Sequence, residues 1–115
     1  MTGDRDLLYL EDMLADAKDA ISLLGVSSAQ DVAADMMKRY AVARAVEIVG
    51  EAASKVSEAT RAANAHIPWR QAIATRNTLI HGYRGMDPAI LTATVNIDFP
   101  PLVAALEVVL REARE

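Results

Sequence analysis

The sequence has no cysteine, which excludes a disulfide framework and thiolate metal sites. It is also poor in aromatic residues, with one Trp, one Phe and three Tyr in 115 positions against an apolar content of 52%. Strands draw on β-branched and aromatic side chains, so an aliphatic, alanine-rich chain points instead to closely packed helices. The opening MTGDRDLLYLEDML is acidic and has no basic region followed by an apolar run, so no secretory signal is expected there. No uninterrupted apolar stretch approaches the ~18 residues of a membrane span. The expectation is a single domain over residues 1–115, soluble and cytoplasmic, with no membrane partner. One further absence is local. All 16 acidic residues lie at or before Glu58 or at or after Asp87. Between them stand Arg61, Arg70, Arg76 and Arg84, with His66 and His81, in a chain of net charge −4. Such a segment can engage a phosphate while the remaining surface repels polyanion.

Helical periodicity covers most of the chain. Asp4 or Asp6 is placed to cap a first helix, in which Leu7, Leu10, Met13 or Leu14, Ala17, Ile21 and Leu24 recur at three- and four-residue intervals. Gly25 is its expected C-terminal cap. Ser27 or Ser28 then opens a second helix that reads as nearly unbroken from Ala29 to about Ser57. It carries two apolar stripes: Val32, Met36, Tyr40, Ala43 and Gly50 on one, and Val42, Ala45, Val49, Ala52 and Val56 on the other. Two stripes predict two packing partners, the first helix on one side and either the C-terminal helices or a second copy of the chain on the other. Gly50 inside a helix costs roughly 1 kcal/mol against alanine, so close approach of another backbone is its expected reason. Ser57 to His66 reads as a helix end and a connection. Pro68 and Trp69 start a third helix, which Gly82 and Gly85 interrupt. Asp87-Pro88 caps a short helix, and Pro100-Pro101 opens a last one. The predicted fold class is all-α, a bundle of four main helices plus one short one.

The stretch IPWRQAIATRNTLIHGYRGMD, residues 67–87, holds the densest set of reactive side chains. Trp69, Ala72, Ile73, Ile80 and Tyr83 share one face of the third helix, with Arg76 at its centre. A guanidinium on an apolar stripe is costly unless it is paired or reaches an anionic cleft, so a salt bridge to Glu47 or Glu51 is the structural alternative to a function. His81 falls in the last helical turn, where the macrodipole favours the imidazolium, suiting either a general acid or base or a plain charge cap. Asn77, one turn earlier, is placed to hold the ring in one tautomer. Arg76 and His81 lie roughly 140° apart on an ideal helix, so one helix does not easily converge both on one phosphate. Either the helix deforms, or two protomers build the site. Arg and His without a His/carboxylate metal-ligand spacing favour metal-independent RNA cleavage with no cofactor. In that reaction a base takes the 2′-hydroxyl proton, the oxygen attacks the adjacent phosphate, and arginine stabilises the charge on the phosphoryl oxygens. His66 sits in the connection and reads as a surface residue.

Arg76-Asn77-Thr78-Leu79-Ile80-His81-Gly82-Tyr83 has the pattern R-x4-H-x-Y and resembles the motif of HEPN-domain toxins of the HepT type. RAVEIVGEAASKVS (residues 44–57), IPW (67–69) and DFPPL (98–102) resemble the same family in the same order. The resemblance implies a HEPN-type helical bundle, homodimeric, with the third helices of both protomers lining a positively charged cleft. It implies a ribonuclease toxin of a toxin–antitoxin pair, with Arg76 and His81 as the catalytic pair and Asn77 in support. The substrate would be RNA, with tRNA and mRNA among the candidates, and Arg70 and Arg84 are candidate RNA contacts. The implied partner is a nucleotidyltransferase antitoxin of the MntA type that transfers AMP to the motif tyrosine, here Tyr83. Adenylyl groups on Tyr83, near Arg76, would place phosphates in the cleft and block RNA. Two other readings compete. One is a non-catalytic subunit that presents nucleotide or RNA to a nucleotidyltransferase; the other is a purely structural dimer module.

Overall fold

The computed structural model of the chain describes residues 3–81 and 87–115, and only the backbone of 77–81. The first helix, α1 (Asp4–Leu24), starts after Gly3 and has no side-chain cap, contrary to the expectation that Asp4 or Asp6 would cap it. Asp6 turns inward instead. Its Oδ1 accepts from the Ser57 backbone N–H at 3.0 Å, and its Oδ2 accepts from the Ser57 and Thr60 hydroxyls, each at 2.6 Å. A cap bond would have satisfied one orphan amide, whereas this arrangement ties two distant segments together. Gly25 ends α1 as expected, at φ 56°, with its N–H on the Ile21 carbonyl.

The long second helix of the sequence reading is two helices. Ser28 caps α2 (Ala29–Ala34) through a reciprocal pair of bonds with Asp31. Asp35 then leaves the helical region, and its carboxylate caps α3 (Met36–Lys55) by accepting from the Lys38 N–H at 3.0 Å. The physical reason is the usual one for aspartate: its short acceptor satisfies backbone donors best at a helix start, and a start here requires a stop before it. The break splits the first apolar stripe. Val32, Ala43 and Gly50 are buried, while Met36 and Tyr40 are more than half exposed. The second stripe, Val42, Ala45, Val49, Ala52 and Val56, is buried throughout.

Ser57 caps a further short helix, α4 (Glu58–Ala63), where the sequence suggested only a connection. Hydrogen bonds then carry order into α5 (Trp69–His81). The Asn64 side chain donates to the Thr60 carbonyl, and the Trp69 indole N–H donates to the Asn64 carbonyl at 3.1 Å. Ile67, Trp69 and Ala72 are buried at this junction.

Asp87 caps α6 (Pro88–Ala93) by accepting from the Ala89 and Ile90 N–H groups. The expected gap before the last helix is absent. A π-helical turn, Thr94–Asp98, joins α6 to α7 (Phe99–Ala113), with the Phe99 N–H reaching back to the Thr94 carbonyl. Pro100 and Pro101 cannot donate to carbonyls four residues back, and their rings crowd that turn; widening it to an i→i−5 bond accommodates them without ending the helix. Read as one run, Pro88–Ala113 is long and apolar enough by length and composition to cross a membrane, with a window of mean hydropathy 1.5. Taken separately, α6 with 6 residues and α7 with 15 are each too short, which is why the sequence expectation was of no such run. In the fold Leu91, Val95, Phe99, Leu102, Leu106 and Leu110 of this run are buried in the core.

The described residues thus form an all-α bundle of four longer helices, α1, α3, α5 and α7, with three short ones rather than one. Helix α1 packs on α3 and α7, and α3 packs on its other side against α5. The second face of α3 is therefore covered from within the chain and gives no reason of its own for a second copy.

Asp6 anchors this arrangement. Hydrogen bonds from the Ser57 hydroxyl, then the Thr60 hydroxyl and the Ser57 amide, hold its carboxyl below the usual carboxylate range, against burial, which pushes it up. A depressed folded value means the stabilisation is full above the unfolded value of about 4 and is lost as pH falls through the folded one. Asp6→Asn is expected to cost about 2 kcal/mol at pH 7. The difference from wild type should shrink in acid, which urea unfolding at pH 7 and at pH 3 would measure.

Candidate functional site

Arg76 is positioned by a glycine on the facing helix. A Cβ built on Gly50 would lie 2.7 Å from the Arg76 backbone nitrogen, 2.8 Å from its Cβ and 2.9 Å from Thr75 Oγ1. Only a residue without a side chain lets α5 come this close to α3, so the expected close approach is real, and the backbone that approaches is α5 of the same chain. Thr75 turns its hydroxyl onto the Ala72 carbonyl at 2.7 Å and leaves the contact face compact.

The Arg76 side chain is half-buried against α3. Its Nη1 donates to Ser54 Oγ at 3.3 Å, and its Nε is buried with no hydrogen-bond partner. The salt bridge offered as the structural alternative does not form. Glu47 pairs with Arg44 at 3.1 Å, and the ion pairs among the described residues include neither Arg76 nor Glu51. An unpaired, desolvated N–H costs about 1–3 kcal/mol, so this guanidinium is not placed for stability. A cation held in that state interacts more strongly with an anion than one fully solvated in water does.

The other sequence-stated candidates divide sharply. Arg70 is exposed in the first turn of α5. Asn77 and His81 lie on the described backbone of α5, but their side chains are outside the described residues. Tyr83 and Arg84, and the expected helix breaks at Gly82 and Gly85, also lie outside them. By helical period, positions 70, 74, 77 and 81 form one stripe of α5, and position 76 belongs to the face against α3. His66 is exposed, as expected of a connection residue. A cleft of about 180 Å³ between α3, α5 and α6, walled in part by Val46, Thr75, Ile90 and Asp98, does not include Arg76. Among the described residues no three His, Asp or Glu side chains gather as metal ligands would.

Sequence reasoning missed Ser54. Its signal was a hydroxyl residue one turn after Gly50, on the same face of an alanine-rich helix.

Comparison with known proteins shows the family. The family model described as ribonuclease HepT-like matches residues 13–109. The chain belongs to the HepT-like ribonuclease family. A "Putative RNase" of Methanocaldococcus jannaschii is 35% identical over 101 residues, spanning 88% of this chain and 93% of the relative. The "Probable ribonuclease HepT" of Thermococcus cleftensis is also 35% identical over 101 residues, spanning 84% and 92%. A second "Putative RNase" of M. jannaschii is 27% identical over 107 residues, spanning 93% and 92%. No solved structure matches the chain. The HepT-like chain is thus a ribonuclease acting on RNA, and its all-α bundle is of the HEPN type that the motif resemblance implied. The two competing readings, a non-catalytic subunit and a purely structural module, give way to an enzyme.

Proposed function

We propose that this ribonuclease is the toxin of a toxin–antitoxin pair and cleaves RNA without a metal, at a cleft built by two copies of the chain in the cytoplasm. The observation that carries the reading is Arg76: half-buried, without a carboxylate partner, with one bond to Ser54 and one desolvated N–H. Arg76 neutralises the charge that builds on the phosphoryl oxygens. His81 takes the proton from the 2′-hydroxyl, O2′ attacks the adjacent phosphorus, and the 5′-oxygen leaves as a hydroxyl by taking a proton from an acid. Asn77 orients the His81 ring. Because Arg76 and His81 lie roughly 140° apart on α5, the Arg76 of one protomer serves the phosphate facing the His81 of the other, so that a dimer holds two such sites. Arg70 and Arg84 extend the cationic track along the RNA backbone.

The partner is a nucleotidyltransferase of the MntA type that joins the Tyr83 hydroxyl to the α-phosphate of ATP and releases pyrophosphate. The AMP phosphate then competes with RNA for Arg76. Co-expression with the product of the neighbouring gene, followed by mass spectrometry and RNA cleavage in the presence of chelator, tests both halves. The expected result is an adduct of one or more AMP units, absent in Tyr83→Phe, with cleavage lost only in the modified protein. Full cleavage by the adduct, or no cleavage by unmodified protein in chelator, would contradict the proposal.

A further inference from the structure

Ser54 is half-buried on the side of α3 that α5 covers, one turn beyond Gly50. Its hydroxyl donates to the Glu51 carbonyl at 2.7 Å and accepts from Arg76 Nη1 at 3.3 Å. The one hydroxyl proton is therefore committed to the helix backbone, and what the oxygen presents to Arg76 is a lone pair. On the guanidinium, Nη1 is held by Ser54 and Nε is buried without a partner, while Nη2 makes no hydrogen bond among the described residues.

We infer that Ser54 is a positioning residue for the cleavage reaction. By holding Nη1 it fixes the plane of the guanidinium, so that Nη2 meets the phosphoryl oxygen in a set direction. The inference rests on the reading of Arg76 as the phosphate-binding cation. An arginine stem has several soft torsions, and a planar fork stabilises a phosphate well only when its plane is set beforehand. Gly50 fixes where the stem leaves α5, and Ser54 fixes where its end lies. Without the Ser54 acceptor the cation remains near the phosphate, but the orientation is no longer set before the transition state. Such a loss appears in kcat more than in KM, because the lost interaction is strongest when charge has built up on the phosphate.

The test is a set of Michaelis curves for RNA cleavage by the full chain carrying Ser54→Ala, Ser54→Thr, Arg76→Lys, and Ser54→Ala with Arg76→Lys, each with a thermal melt. Ser54→Ala is expected to lower kcat about tenfold, the effect of one hydrogen bond to a charged group, with KM within about twofold and a melt lowered by no more than about 4 °C, too little to unfold the enzyme under assay. Threonine makes the same backbone bond inside a helix, so Ser54→Thr should restore most of the rate. In the Arg76→Lys background, where the fork is gone, the effect of Ser54→Ala should shrink to within about twofold. A wild-type rate for Ser54→Ala beside a poor Arg76→Lys enzyme would overturn the role of Ser54 and leave that of Arg76 standing. An undiminished Ser54→Ala effect in the Arg76→Lys background, or a lowered melt that accounts for the loss, would also overturn it. A wild-type rate for Arg76→Lys would instead overturn the reading of Arg76 as a phosphate-binding fork.

Discussion

Arg76→Ala is expected to lower RNA cleavage by about 10²–10³-fold, the usual cost of removing a preorganised donor from a developing negative charge. Its thermal unfolding should stay close to wild type. Truncation loses the 3.3 Å bond to Ser54, worth about 1 kcal/mol net. It also removes a buried N–H that has no partner, a comparable gain. A structural salt bridge would behave in the opposite way, since breaking a buried pair costs about 3–5 kcal/mol. The pairing of large catalytic loss with small stability change therefore separates a phosphate-binding arginine from a core-stapling one. Cleavage rates and melting curves on one preparation measure both.

Gly50→Ala should destabilise the protein, although alanine is the better helix former. The propensity gain is about 1 kcal/mol. Against it, the new methyl would lie 2.7 Å from a backbone nitrogen and 2.8–2.9 Å from Arg76 Cβ and Thr75 Oγ1, contacts that only a shift of α5 away from α3 can relieve. Overpacking of this kind costs roughly 1–3 kcal/mol, and here one clashing atom is a backbone nitrogen and another the Cβ next to it, neither of which can rotate away. The expected net loss is up to about 2 kcal/mol by denaturant unfolding. Because the shift carries Arg76 with it, cleavage should fall by more than the fraction of unfolded protein explains. Gly50→Val should be worse on both counts. A stabilised Gly50→Ala would mean that α5 has room to move, and with it that the seat of Arg76 is soft.

What could be read from the sequence was what local chemistry decides. Gly25, Ser28 and Asp87-Pro88 announce helix boundaries within three or four residues, and all three do what their types suggest. Gly50 was legible because a glycine amid good helix formers needs a reason. Asp35 was not, since a lone aspartate inside an apolar-periodic run reads equally well as a solvated position; only the packed structure shows it capping Lys38. Asp6 misled for the related reason that its partners, Ser57 and Thr60, are more than 50 residues away. The π turn escaped because two consecutive prolines usually announce a helix start, and here they only widen a helix already under way.

The candidate site shows the same division. The motif residues, Arg76 to Tyr83, are contiguous and so legible in the sequence as a unit. Ser54 reaches Arg76 across an interhelical contact that no sequence period encodes. The geometric argument for two protomers also changed its footing. The two-sided second helix offered as support is covered by α5. What remains is the angular separation of positions 76 and 81 on one helix.

That separation makes the central claim testable by complementation. Arg76→Ala and His81→Ala chains, each inactive as a homodimer, would be co-expressed with different tags and the mixed dimer isolated through both. If each cleavage site takes Arg76 from one protomer and His81 from the other, the mixed dimer keeps one intact site. It should then recover about half of the wild-type rate per dimer, far above either parent. A mixed dimer as inactive as its parents would place Arg76 and His81 of one site in the same chain, and the composite cleft would be wrong.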